Sequence, residues 1–272
     1  RRNLKTIGMS EMQEAMERVV MGPARKSRVM SDREKRIVAY HEAGHAILFH
    51  KLKYADEVHK ITIVPRGRAG GFVMPLPGDD SAFVMREQFE DRIVAAMGGR
   101  AAEEIIFGHF STGASNDLQQ CTRWARAMVT QFGMSDILGP RSYGSQQGSV
   151  FLGRELGEQR DYSEHYAEEI DNEVKRILQT AYERAHQTLM DNREQLEGLA
   201  DSLMEHETLD RQMFLDIMEP GKLAEPDHGF NLPKPSEPVD DDRSDDGADD
   251  LPGNVPPNLG PQPALFDGDA GD

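Results

Sequence analysis

His41-Glu42-Ala43-Gly44-His45 sets two imidazoles four positions apart, with a carboxylate directly after the first. On a helix that spacing puts both rings on one face about one turn apart, within reach of a single ion at roughly 2.0–2.1 Å, the zinc–nitrogen distance. Glu42 falls about 100° round the helix, so its carboxylate sits beside the ion and not on it. From there it can take a proton from a water whose pKa zinc lowers to about 7, the chemistry of metal-assisted hydrolysis. Ala43 and Gly44 are short enough to leave space for a substrate close to the helix. Three fixed positions are few, and a satisfied pair of helical histidines is the bland alternative, so context must carry the motif.

A catalytic zinc takes three protein groups and keeps a fourth position open. Spacing alone leaves the third ligand undecided among Glu103, Glu104, His109 and Asp117. The glutamates fall on a helix, where a solvated face is their ordinary role. His109 follows no helical partner. Ser115, Asn116 and Asp117 are all good residues for opening a helix, so Asp117 has a structural reading too.

The elements that must position these groups are mostly helical. Ser10 with Gln13 resembles a capping box and predicts a short helix through Met16, Val19 and Val20, stopped by Gly22-Pro23. Ser31 with Glu34 predicts a second, amphipathic helix that carries the histidines. The only clear strand material comes next: Val58–Val64, ended by Pro65-Arg66-Gly67, then Phe72-Val73-Met74 behind Gly70-Gly71. Helical periodicity returns from about Arg86 to Phe107. Gly98-Gly99 interrupts it at about 1 kcal/mol per glycine relative to alanine, which predicts a break or a close packing contact there. A helix through Trp124, Met128 and Val129 follows, then a loop near 139–153 and a long helix with Ile170, Val174, Ile177, Ala181 and Leu189. Shorter helices are predicted around Leu196–Met204 and Met213–Met218. The fold class is mainly α, with a small β element near the histidine helix.

Composition narrows the field. Thirty-one Lys+Arg against 48 Asp+Glu leave a net charge of −17, the wrong sign for a nucleic-acid binder. A single cysteine, Cys121, excludes an internal disulfide framework and suits a reducing compartment. No apolar run approaches the roughly 18–20 residues of a membrane helix, and no signal-peptide pattern opens the chain. The sequence begins at Arg1, which reads as a piece of something longer. Residues 221–272 hold nine of the 15 prolines and a charge of −10, so they are expected to form a disordered acidic tail; −7 is left for the rest.

The segment Ala39-Tyr40-His41-Glu42-Ala43-Gly44-His45-Ala46 resembles the active-site helix of the FtsH family, the membrane-anchored AAA ATP-dependent zinc metalloproteases. Similarity continues through Ile61-Thr62-Ile63-Val64-Pro65-Arg66-Gly67 and Gly99-Arg100-Ala101-Ala102-Glu103-Glu104-Ile105. It extends to Ser111-Thr112-Gly113-Ala114-Ser115-Asn116-Asp117-Leu118 and Phe151-Leu152-Gly153-Arg154, spanning roughly residues 1–218 in consistent order. The resemblance implies a helical zinc-peptidase domain with one Zn2+ per chain, held by His41, His45 and Asp117, with Glu42 as general base and Glu103 as the runner-up ligand. It also implies unfolded or membrane protein substrates, a homo-hexamer and a place at the cytoplasmic face of the cell membrane. Residues 1–22 are similar to the last helix of a preceding AAA lid, 23–220 to the peptidase domain. No G-x-x-x-x-G-K-[ST] loop occurs, so ATP would act only through an ATPase module outside this stretch, which is itself expected to be soluble.

Pro75 and Pro77 suit a sheet edge. An extended substrate could add to that edge along Gly71, Phe72, Val73 and Met74 by main-chain hydrogen bonds; a hairpin that only covers the helix is the alternative. Ile170, Val174, Ile177 and Ala181 read as packing, as do Cys121 and Trp124. The rival to an enzyme is a non-catalytic helical assembly scaffold with a structural metal site, against which Glu42 speaks, because a structural site needs no base.

Overall fold

The computed structural model describes residues 8–23, 30–67, 69–76, 83–144 and 162–221. The motif at 151–154, most of the loop near 139–153 and the tail from 222 onward lie outside these residues. The chain divides into two units, 1–222 and 223–272, and every described residue belongs to the first.

Helix α1 covers Met9–Met21. It begins two residues earlier than the Ser10 box predicts, because Glu11 reaches back to accept from the Gly8 backbone N–H. Helix α2, Asp32–Lys51, opens as predicted. Ser31 Oγ accepts from Glu34 N, and the Glu34 carboxylate accepts from Ser31 N, so two orphan donors of the first turn are satisfied reciprocally. Its second half departs from the amphipathic expectation: from Ala39 to Leu48 every residue except His41 is buried. The helix is the central rod of the domain, enclosed by the elements described next.

Strand β1, Val58–Thr62, pairs antiparallel with β2, Phe72–Pro75, setting Ile61 opposite Val73. A third strand that the sequence does not reveal, β3 at Thr208–Asp210, pairs with the other side of β1 and sets Leu209 opposite Ile61. Three residues are too few to display an alternation. The order β2-β1-β3 leaves β2 at an edge, where Pro75 is tolerated.

Helices α3, Arg86–Ala96, and α4, Gly98–Phe107, break at Met97, where the glycine pair predicts an interruption. The glycines also make the predicted close contact. A Cβ on Gly98 would lie 2.7 Å from Gly44 O, and one on Gly44 would lie 2.4 Å from Gly98 O. Helices α2 and α4 therefore touch backbone to backbone at this crossing, which only glycine permits.

A 3-10 turn at Thr112–Ala114, capped by Ser111 Oγ accepting from Gly113 N, leads into α5, Ser115–Thr130. Helix α6, Glu164–Asp191, packs on α3, α4 and α5. Helices α7, Arg193–His206, and α8, Arg211–Met218, close the far end around Leu196, Leu199, Leu203 and Phe214. Buried Asp91 ties three parts together, accepting from Tyr54 N after α2 and from the Arg184 guanidinium on α6.

Candidate metal centre

His41 and His45 share one face of α2, and each ring is fixed through its Nδ1. His41 Nδ1 donates to Glu103 Oε1 at 2.8 Å, and His45 Nδ1 donates to the Ala95 carbonyl at 2.8 Å. Both Nε2 atoms turn to one point, where they stand 3.1 Å apart, and in the neutral rings a proton on Nδ1 leaves each Nε2 lone pair facing that point. Asp117, in the first turn of α5, brings Oδ2 to 3.3 Å from His41 Nε2 and 3.7 Å from His45 Nε2. All three ligand atoms lie within 4.8 Å of one another.

The donor set fits a divalent transition ion. A tetrahedral ion at about 2.0–2.1 Å from its ligands sets the ligand atoms roughly 3.3–3.4 Å apart, and the three separations straddle that spacing. Two imidazoles and a carboxylate are the ligand types zinc takes in hydrolytic sites, with one position left over.

The other candidates of the sequence separate from this point. Glu103 is buried and faces the opposite side of the His41 ring, where its carboxylate also accepts from Ser111 N and Ser111 Oγ. It fixes the His41 ring and stands outside the group His41, His45 and Asp117. Glu104 accepts from the Tyr182 hydroxyl, and His109 stacks on Phe107 at the surface.

Electrostatics follow from this packing. Burial by itself would lower the His41 pKa, but hydrogen bonds to Asp117 and Glu103 and the charges of Glu42 and Asp117 raise it from 6.5 to about 10. Asp117 shows the converse: burial would raise it, and its hydrogen bonds to His41 and His45 hold it well below the ordinary carboxylate range. Glu42 is buried on the adjoining face, and desolvation raises its pKa against the lowering charges of the two histidines. No described residue donates a hydrogen bond to its carboxylate, so proton affinity there is set by burial and by charge.

Of the edge-strand residues, Phe72 is buried, and Val73 and Met74 are half-buried. Gly71 stands against Glu42: a Cβ there would lie 2.8 Å from Glu42 Cγ and 2.7 Å from Thr62 O. The glycine thus brings the sheet edge and the Glu42 carboxylate side by side, an adjacency sequence spacing does not reveal.

Residues 28–217 match peptidase family M41. An ATP-dependent zinc metalloprotease FtsH of Bacillus subtilis (strain 168) is 50% identical over 226 residues, covering 83% of this chain and 36% of that protein. FtsH 1 of Sphaerobacter thermophilus, with the same description, is 51% identical over 77% of this chain and 32% of its own length. FtsH of Kosmotoga olearia is 51% identical over 80% and 34% respectively. The chain spans about a third of the length of these curated relatives.

Proposed function

The chain belongs to peptidase family M41, and from that premise we propose that it hydrolyses peptide bonds with one zinc ion held by His41, His45 and Asp117 and with Glu42 as general base. The observation that carries the reading is the convergence of three ligand atoms within 4.8 Å beside a buried glutamate. Bound there, zinc supplies a Lewis acid that polarises a carbonyl and acidifies water. Glu42 takes up a proton at its carboxylate and returns it to the leaving amine, a transfer typically worth about 10²–10⁴ in rate. Burial disfavours the charged form of its carboxylate and so favours uptake of a proton there. Glu103 and the Ala95 carbonyl hold the two rings in the tautomer that leaves each Nε2 free. Gly71, Phe72, Val73 and Met74 offer to an extended polypeptide a sheet edge that no other described strand covers, and the nearness of Gly71 to Glu42 supports that role.

We propose further that the domain serves an ATP-dependent protease anchored to a membrane, acting as a homo-hexamer on unfolded or membrane proteins at the cytoplasmic face. The names of the relatives support ATP dependence. Among the described residues no helix is long and apolar enough to cross a membrane. Residues 1–22 are assigned to the preceding lid, 23–220 to the peptidase and 221–272 to an acidic tail. Helix α1 supports the first boundary, because Met12, Met16 and Val19, spaced along one face, are all exposed.

Zinc content and casein cleavage of the wild type and Glu42→Gln test the proposal. Both proteins should bind zinc and only the wild type should cleave. A wild type that binds zinc but cleaves nothing, alone or fused to a family ATPase module, would leave a metal-holding scaffold as the better account.

A further inference from the structure

The His41 ring is held within its plane by Glu103 at Nδ1 and by Asp117 at Nε2. What holds it across that plane is a glycine. A Cβ built on Gly99, in the first turn of α4, would lie 2.3 Å from Cε1, 2.4 Å from Nε2 and 2.5 Å from Nδ1 of His41. Near-equal distances to three neighbouring ring atoms mean that the imidazole lies flat over the Gly99 Cα.

Gly99 takes an ordinary helical backbone, so alanine there would favour the helix if nothing else intervened. The glycine is thus explained by the ring and not by φ. Its neighbour serves a different end, since a Cβ on Gly98 meets the Gly44 and His45 backbone. Four residues further along α4, on the same face as Gly99, stands Glu103.

We infer that Gly99 is a positioning residue for His41, its bare Cα forming the floor on which the ligand ring rests while Glu103 turns its Nδ1. The inference rests on His41 being a zinc ligand only where zinc affinity is the readout; the steric seat stands without any metal. A side chain at 99 moves Nε2 away from the point it shares with His45 Nε2 and Asp117 Oδ2. The fold elsewhere has no cause to change.

A double-mutant cycle in chelator-treated protein tests the seat. Gly99→Ala should lower Tm by roughly 2–12 °C when His41 is present, the penalty of overpacking in a domain this size. In the His41→Ala background the same substitution should leave Tm unchanged or raise it, because the ring is gone and alanine favours the helix. Equal losses in both backgrounds overturn the inference. Should Gly99→Ala alone fail to fold, recovery of folding in the double variant supports the seat, and failure there overturns it.

A second measurement follows zinc by competition with a chromogenic chelator. Gly99→Ala should bind zinc about 10–100-fold more weakly, as for the loss of other groups that orient a ligand. Wild-type affinity in that variant overturns the inference, and also decides the matter if His41→Ala does not fold. Absence of zinc binding by the wild type would sink the proposed function instead, and the Tm cycle would still judge the seat.

Discussion

Asp117 and Glu103 both touch His41, and the side of the ring each one touches separates their roles. Asp117→Asn is therefore expected to lose zinc at concentrations that saturate the wild type. Glu103→Gln should weaken binding only about 10–100-fold, because it changes an orienting partner; metal analysis with chelator competition checks the order, and a reversed order would overturn the assignment. In the metal-free protein His41 titrates at about 10, above its ordinary 6.5. Its charged form therefore contributes stability that is full below about 6.5 and is lost as pH rises through about 10. Tm of the chelator-treated protein should fall across that window, and zinc loading at pH 8 should release a proton from His41, readable by calorimetry in buffers of different ionisation enthalpy. Cys121, fully buried on α5, has its thiol pushed up to about 12 by burial and by the Asp117 charge. From an ordinary value of 9.0 that leaves roughly a thousandfold fewer thiolates at pH 8. Iodoacetamide should accordingly label it far more slowly in native protein than in urea.

At the scale of elements, what was legible in the sequence was what local chemistry writes. The Ser31–Glu34 box, the four-residue histidine spacing and the glycine interruption at 98–99 each act within a turn or two, and each reappears in the structure. Partners distant in sequence were not legible. Asp117 could not be separated from Glu103 by spacing, because the choice depends on how α4 and α5 approach α2. Strand β3 escaped because Thr208-Leu209-Asp210 carries too short a pattern, and its place depends on the reversal at Glu207, whose φ is +60° and whose carboxylate pairs with Lys35. The same long-range logic applies to Arg184, which joins α6 to buried Asp91 on α3. Arg184→Met should cost about 1–3 kcal/mol in urea unfolding, the lower part being expected because the guanidinium is half-exposed. At the sheet edge, Val73→Pro should reduce casein cleavage with zinc content unchanged. Undiminished cleavage by a folded variant would assign β2 to covering α2 alone.

Across the whole molecule, the charge of −17 resolves into −7 for residues 1–220 and −10 for residues 221–272. The described core and all three proposed ligands close before residue 222. A chain ending at Gly221 is therefore expected to keep the zinc affinity, Tm and casein cleavage of the longer one, and a loss in any of them would give the acidic stretch a role. Zinc itself should stabilise by mass action, about 2.7 kcal/mol at a free concentration of one hundred times Kd. Tm should rise with added zinc in the wild type and not in Asp117→Asn.

The backbone contact between Gly44 and Gly98 has a consequence for engineering. The five-residue signature is not portable. Transplanted onto a host helix, it would carry the two imidazoles and the glutamate, but a host neighbour bearing side chains would hold that helix farther away. The opposing donors would then stand too distant to meet the rings. What would have to be grafted is a pair of helices notched for each other, with the start of the helix that carries Asp117.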